Sequence, residues 1–447
     1  MGKYFGTDGI RGVANKELTP ELAYKVARAS AYKLNEDNNK LIIIGKDTRK
    51  SGDMLESALV AGYTSMGYDV YLLGVIPTPA VAYLTKYYGA EAGIVISASH
   101  NPAEFNGIKY FGSDGFKLPD EVEEEIENII DNYKEIDIRP IGKDLGIVEF
   151  KTDAKDIYLD YLKSRVNLDL TGINISLDCG NGATYEIAPR LFKDLGANVT
   201  AIHTEPNGLN INLNCGSTNP EKIEGLVKKS KSDVGFSYDG DGDRLITVDE
   251  NGNTLDGDHY LAACAFHMKN KGTLKNSGVV GTVMTNIGLD EYLNKIDVEL
   301  KKSSVGDRYV LEVMRKDGYS LGGEQSGHII FLDDNTTGDG ILSSLKILEV
   351  MLESGKKMSE LNELMVTYPQ VLINAKVSNE NKNNYKKDEL VLEEIRKLEE
   401  KFNGEGRVLI RPSGTEPLVR VMIEGKDQDV LKREAERLVK IIEDRCS

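Results

Sequence analysis

The stretch Gly93-Ile-Val-Ile-Ser97 runs directly into Ala98-Ser99-His100-Asn101-Pro102, and its reading decides the fold. A short β-branched run closed by small polar residues and a proline predicts a buried strand that ends in a sharp turn. Strand patterns at 41–44 and 69–73 and a helix at 80–88 precede it. Thr19-Pro20-Glu21 opens an earlier helix, with a cap residue followed by proline at the first helical position. This alternation predicts an α/β unit with a mainly parallel sheet. Ligands of such sheets sit beyond the carboxyl ends of strands, where 98–102 falls.

Working outward, 447 residues exceed one hydrophobic core, and at ~100–200 residues per domain they suggest three or four units. An acidic helix at 120–132 and a polar stretch at 142–151 close the first. Strands at 173–177, 198–203 and 234–238 build a second α/β unit. A third follows, with a helix at 259–269, a strand region at 278–285 and a loop after 319–321. From about 368 the pattern becomes strand (371–377), helix (390–402), two adjacent strands (407–410 and 418–424) and helix (430–442), which predicts an antiparallel α+β unit. The expected domains are 1–152, 153–254, 255–366 and 367–447. The first three are α/β with mixed, mainly parallel sheets, and the last is α+β.

Composition is globular, at 40% apolar and 28% charged residues. A formal charge of -17 argues against nucleic acid or an anionic membrane as partner and requires a local cationic pocket for any anionic substrate. Cys179, Cys215, Cys264 and Cys446 are scattered without metal-ligand spacing, so reduced thiols and a cytoplasmic location are expected. No apolar run approaches the ~20 residues of a membrane span, and the beginning of the chain lacks an apolar signal core, so no targeting or anchoring is expected.

Asp239, Asp241 and Asp243 alternate with glycines, so a tightly turned backbone can aim three carboxylates at one point. They repel unless a cation lies between them, and oxygen-only ligands favour a hard ion such as Mg²⁺ over zinc. An EF-hand loop is the alternative, with Glu250 at its twelfth position. Arg244 occupies the place of the required glycine, and the preceding Val234-Gly-Phe-Ser-Tyr238 has a strand pattern where a helix is needed. A solvated acidic turn is the plainer alternative.

Ser99, on its turn, should present an exposed hydroxyl at a strand end, with His100 and Lys109 as nearby candidate bases. Taken alone it reads as an ordinary turn serine. Arg411-Pro-Ser-Gly-Thr415 gathers a guanidinium, the hydroxyls of Ser413 and Thr415 and the backbone freed by Gly414, with Arg420 on the next strand. That is a phosphate cradle: a planar fork with hydroxyls and amides for the remaining oxygens. Glu324 and Ser326, in Gly322-Gly-Glu-Gln-Ser-Gly-His328, could bind sugar hydroxyls. His328 reads as packed or hydrogen-bonded rather than catalytic. Arg11 and Arg49 read as surface charges on loops.

Together, Phe5-Gly-Thr-Asp-Gly-Ile-Arg-Gly12, Ser97-Ala-Ser-His-Asn-Pro102, Asp239-Gly-Asp-Gly-Asp-Arg244, Gly323-Glu-Gln-Ser-Gly-His328 and Arg411-Pro-Ser-Gly-Thr-Glu-Pro417 resemble the α-D-phosphohexomutase superfamily. The resemblance covers nearly the whole chain, in order. The opening Phe5-Gly-Thr-Asp-Gly-Ile-Arg11, Gln325 and the pair Asn207-Gly-Leu-Asn-Ile-Asn212 and Cys215-Gly-Ser-Thr218 resemble its amino-sugar branch. The resemblance implies a heart-shaped, four-domain molecule with the active site in the central cleft. It implies Ser99 as a phosphoserine, Mg²⁺ held by Asp239, Asp241, Asp243 and a phosphoserine oxygen, and Arg244 neutralising phosphoryl charge. Arg11 and Lys109 would support proton transfer and charge balance. The implied reaction interconverts glucosamine 6-phosphate and glucosamine 1-phosphate through a 1,6-bisphosphate. The implied partner is a small sugar phosphate, in a homodimer formed through the first domain. A mutase preferring mannose or glucose phosphates, or a non-catalytic sugar-phosphate sensor, are the alternatives.

Overall fold

Behind Thr19 the helix forms as Pro20–Lys33. The Thr19 side chain accepts a hydrogen bond from Leu22 N at 3.2 Å, and Pro20 brings no amide hydrogen that would need a partner. Its buried face, with Ala23, Val26 and Ala27, packs into one core with Ile42, Ile44, Ile94 and Ile96 of the sheet. The computed structural model describes residues 3–6, 8–34, 39–133, 136–402, 404–413 and 417–446. Among them the strands form four sheets, of seven, five, four and three strands. The chain divides into two units, Met1–Thr285 with Leu293–Leu364 and Asn286–Tyr292 with Met365–Ser447.

The first sheet runs, in spatial order, Phe5–Gly6, Gly9–Val13, Phe105–Gly112, Ala92–Ile96, Leu41–Lys46, Asp69–Val75 and Val148–Phe150. Its last four strands are parallel. The other three join antiparallel. Strand Phe105–Gly112 is absent from the sequence reading, and it sets Lys109 opposite Val95. The second sheet has parallel strands Val234–Tyr238, Asn174–Asp178 and Asn198–Ile202, with Leu245–Asp249 and Thr254–Leu255 antiparallel at one side. In the third, Glu299–Ser303, Gly278–Thr282 and Leu321–Gly323 are parallel and Ile329–Phe331 turns back. These are the expected mixed α/β sheets.

In the second unit, Gln370–Lys376, Leu418–Gly425 and Gly406–Pro412 form an antiparallel sheet. Leu431, Ala435, Leu438 and Ile442 of helix Gln428–Cys446 pack onto its Val419, Val421 and Ile423. This is the expected α+β arrangement. All four cysteines are buried and free. Among the described residues no helix is long and apolar enough to cross a membrane.

Candidate active site

Past the fully buried strand Ala92–Ile96 the chain turns, and Ser99 sits at φ +51°. That left-handed conformation costs a residue with a Cβ about 1–2 kcal/mol, so the surroundings must enforce it. Ser99 N donates to Ser97 Oγ at 3.0 Å, and Ser97 Oγ donates to Asp47 Oδ2 at 2.6 Å. Asp47 also accepts from Arg49 Nε at 2.8 Å. Arg49 then reaches the carbonyl oxygens of Ser99, Asn101, Pro102 and Phe105. Two sequence expectations are corrected here. The Arg49 side chain is 0% exposed and is no surface charge, because its donors satisfy the inward-turned carbonyls of the serine loop. Ser99 is 2% exposed, with its hydroxyl covered, because the loops following the second sheet close over it.

The first covering loop follows strand Val234–Tyr238, every residue of which is buried. Gly240 must lack a side chain, since a Cβ there would lie 2.5 Å from Ser99 O. The turn delivers Asp239 Oδ2 to Ser99 Oγ, which donates to it at 2.6 Å. Asp241 Oδ2 accepts from Thr78 Oγ1 at 2.7 Å and from Lys109 Nζ at 2.8 Å. Carboxylate oxygens of the three aspartates lie within 4.8 Å of one another, all on buried side chains. Asp241 Oδ1 and Asp243 Oδ1 are buried without a hydrogen-bond partner. Unpaired buried carboxylate oxygens are costly, so these residues are suited to a metal cation with oxygen ligands. Burial, then Asp243 and Asp241, pushes the Asp239 carboxyl well above its ordinary range. Glu250 takes no part: it accepts from Ser359 Oγ at 2.6 Å and Ser359 N at 3.1 Å, which removes the EF-hand alternative.

Positive charge surrounds the triad. Lys109 Nζ lies 2.8 Å from Asp241 Oδ2, 3.0 Å from Asp8 Oδ2 and 3.8 Å from Asp243 Oδ2. Burial alone would push its ammonium down, but the attraction of Asp241, Asp8 and Asp243 raises it far above the ordinary lysine value. Arg11 pairs with Asp8. Lys117, half-buried and not singled out from the sequence, bridges Asp8 and Asp307 at 2.5 Å each. His100 Nδ1 is 3.3 Å from Ser99 Oγ. Its imidazole is lowered to about 4 by burial and then by the charges of Arg244 and Arg11, so it is neutral near pH 7. Arg244 is held above its ordinary value, because Asp243, Asp239 and Glu324 outweigh its burial.

Glu324 therefore shares the electrostatic field of the triad. It sits where strands Leu321–Gly323 and Ile329–Phe331 turn, and its Oε1 accepts from Gly306 N at 3.0 Å. Ser326 is exposed in that loop, and Gln325 Nε2 donates to Asp256 Oδ2 at 3.1 Å. His328 is hydrogen-bonded as expected, accepting from Gly338 N at 3.1 Å. Its other ring nitrogen lies 3.6 Å from Asp243 Oδ2, a placement in the site that one histidine in a sequence does not signal.

The second unit carries the remaining expected residues. Arg411 and Arg420 are register partners on adjacent antiparallel strands, so their side chains share a face. Ser413 is buried, its N donates to Leu418 O at 2.9 Å, and its carbonyl accepts from Lys382 Nζ at 2.6 Å. Lys382 is a cation the sequence reading passed over. Gly414 and Thr415 lie outside the described residues.

Comparison with known proteins accounts for nearly all of the chain. Profiles for phosphoglucomutase/phosphomannomutase alpha/beta/alpha domains I, II and III match residues 2–137, 156–252 and 256–368. The profile for the C-terminal domain of the same proteins matches 372–441. A phosphoglucosamine mutase of Finegoldia magna is 63% identical over 446 residues, covering 100% of this chain and 99% of that protein. Among solved structures, a phosphoglucomutase/phosphomannomutase family protein from Burkholderia thailandensis superposes with a TM-score of 0.81 at 24% identity, covering 100% and 99% of the two chains. An Aspergillus fumigatus N-acetylphosphoglucosamine mutase, in complex with GlcNAc-6P and magnesium, superposes with a TM-score of 0.68 at 18% identity, covering 99% and 96%.

Proposed function

The chain belongs to the phosphoglucomutase/phosphomannomutase family, and from that membership we propose that it is a phosphoserine enzyme interconverting glucosamine 6-phosphate and glucosamine 1-phosphate. The observation that carries this reading is the 2.6 Å hydrogen bond from Ser99 to Asp239 at the edge of a buried carboxylate triad. A serine hydroxyl has no reason to be buried against three carboxylates unless a cation and a phosphoryl group complete the site. The choice of an amino sugar rests on the Finegoldia magna relative.

Asp239, Asp241 and Asp243, with a phosphoryl oxygen on Ser99, would hold Mg²⁺, which supplies Lewis-acid stabilisation of the transferring group. Phosphoryl transfer passes through a loose transition state with charge spread over equatorial oxygens, so fixed cations matter more than a strong base. Arg244, Arg11 and Lys109 provide that charge. His100, kept neutral, is the imidazole able to take and return the proton of the attacking hydroxyl. Glu324 and Ser326 hold sugar hydroxyls. Arg411, Ser413, Gly414, Thr415 and Arg420 hold the phosphate the substrate keeps. Transfer from Ser99 gives a 1,6-bisphosphate, which turns over and returns its other phosphoryl group to the serine.

The same reading places the domains at 1–152, 153–254, 255–366 and 367–447, and places the enzyme in the cytoplasm supplying UDP-N-acetylglucosamine for the cell wall. Free cysteines support a reducing compartment. A homodimer through the first domain is supported by edge strand Val148–Phe150, near which Ile141, Ile147 and Phe150 are 79%, 62% and 72% exposed. Coupled assays with the 1-phosphates of glucosamine, glucose and mannose test the activity. The highest kcat/KM is expected for glucosamine 1-phosphate, and equal or better turnover of mannose 1-phosphate overturns the amino-sugar assignment.

A further inference from the structure

Beside the catalytic serine, a segment of the second domain makes contacts that the reaction outlined above does not use. Asn212 Nδ2 donates to Ser99 O at 2.9 Å and to Asn101 O at 3.0 Å. Arg49 Nη2, from the first domain, donates to the same two oxygens at 2.9 Å and 2.8 Å. Each NH₂ group has two hydrogens and each carbonyl two lone pairs, so two donors and two acceptors close a square in which every hydrogen is used. The square spans the residue whose backbone is strained, Ser99 at φ +51°.

The segment that carries Asn212 is itself anchored. Asn212 N donates to Gly180 O at 2.9 Å. Gly180 N and Gly216 N donate to the fully buried Asp178 at 2.9 Å and 3.1 Å, and the His203 ring meets the same carboxylate at 2.9 Å. Across the domain boundary, Lys50 N donates to Gly208 O at 2.9 Å and Thr48 Oγ1 donates to Asn181 O at 2.6 Å. Ile211 is 1% exposed, and its side chain packs against Gly240 of the aspartate turn. Asn212 adopts φ +57°, a conformation asparagine tolerates better than other residues with a Cβ. This position thus requires both a left-handed backbone and a short side chain ending in NH₂, a pair of demands that asparagine meets.

We propose that Asn212 is a positioning residue for phosphoryl transfer: with Arg49 it grips the carbonyl oxygens of Ser99 and Asn101, holding the serine in the strained turn that aims its hydroxyl at the aspartate triad. This rests on the function proposed above, in which Ser99 carries the phosphoryl group. Strain in a catalytic turn persists only where the surroundings over-determine it, and here one half of the restraint comes from a different domain. Removing the amide leaves both carbonyls with one donor each and lets the turn relax. A displacement of about 1 Å at a reacting centre costs roughly 10²-fold in rate.

The test uses the full-length protein, Asn212→Ala and Asn212→Asp. The aspartate keeps the size but sets a carboxylate oxygen against two carbonyl oxygens. Asn212→Ala should lower kcat by about 10²-fold with KM within a factor of about two and only the small fall in melting temperature that an alanine at φ +57° brings. Asn212→Asp should lower kcat further. In hydrogen exchange, the peptide containing 98–102 should exchange roughly 10-fold faster in Asn212→Ala, with the rest of the chain unaffected. Unaltered exchange in that peptide overturns the clamp, whatever the activity. So does a kcat within about threefold of the parent in both variants, or a loss matched by general destabilisation. A parent that turns over none of the sugar phosphates counts against the proposed function, while the exchange measurement still decides the clamp.

Discussion

Ser99 Oγ lies 2.6 Å from Asp239 Oδ2 and donates its hydrogen to it, although the two residues are 140 positions apart and follow strands of different sheets. The hydrogen bond fixes the direction in which the hydroxyl points, at Asp239, whose carboxylate is grouped with those of Asp241 and Asp243. In the metal-free protein, burial and those two neighbours raise the Asp239 carboxyl well above its ordinary range. Asp239→Asn should therefore leave the melting temperature in chelator little changed, since it replaces a group already pushed towards neutrality. The same change should lower kcat by roughly 10²–10³-fold, the usual effect of removing one electrostatic contact to a transition state. Paired melts and coupled assays measure both quantities.

Metal removal follows from Asp241 Oδ1 and Asp243 Oδ1, which are buried without hydrogen-bond partners. Chelator should abolish turnover and Mg²⁺ should restore it. A ligand that binds only the folded state at a hundred times its Kd stabilises by about 2.7 kcal/mol. Mg²⁺ should accordingly raise the melting temperature of the parent and not that of Asp241→Ala. An equal rise in both would place the cation elsewhere.

Lys109 is the counter-charge for two aspartates at 2.8 and 3.0 Å. Lys109→Met keeps the length of the side chain and removes the charge, leaving the buried Asp241 without its cationic partner while Asp8 keeps Arg11 and Lys117. Breaking one side of a buried ion pair costs about 3–5 kcal/mol. Denaturant titration should show a loss of that order along with lost activity. Lys109→Arg should recover part of the stability because the charge returns.

His100 titrates at about 4 when folded, lowered first by burial and then by Arg244 and Arg11, against about 6.5 in an unfolded chain. As pH falls below 6.5 the unfolded state takes up the proton first, so stability drops through the window from 6.5 to 4 and is unaffected above it. The ring is partly exposed to solvent, so the loss is on the order of 2 kcal/mol, less than the full shift implies. In chelator, His100→Gln should flatten the pH dependence of unfolding between pH 6.5 and 4. A slope identical to that of the parent would contradict the burial argument.

Which parts of this molecule a sequence displays has a physical basis. Strand Val234–Tyr238 and helix Glu389–Phe402 were legible because buried runs and helical periodicity are local properties. The Asp239, Asp241 and Asp243 cluster was legible because glycines between like charges leave a cation as the simplest explanation. Strand Phe105–Gly112 was not, since Asn106-Gly107 at its start reads as a turn and its place between antiparallel neighbours depends on pairing. Arg49 was misread for a related reason. Whether a loop arginine is solvated or buried depends on where carbonyl oxygens from residues some 50 positions away converge, as those of Ser99, Asn101 and Phe105 do here. Lys117 and Lys382 carry no motif, and His328 closes the Gly323–His328 motif without a role legible there; their roles are set by contacts with Asp307, Ser413 and Asp243.

The central claim is that Ser99 carries the phosphoryl group, and intact-mass spectrometry of the purified protein tests it most directly. The parent, incubated with a sugar 1,6-bisphosphate and Mg²⁺, should show a species heavier by one phosphoryl group, and fragmentation should place that group on Ser99. Ser99→Ala should show no such species and no mutase activity. A phosphorylated Ser99→Ala, or a Ser99→Ala enzyme that still turns over glucosamine 1-phosphate at the parent rate, would contradict the account.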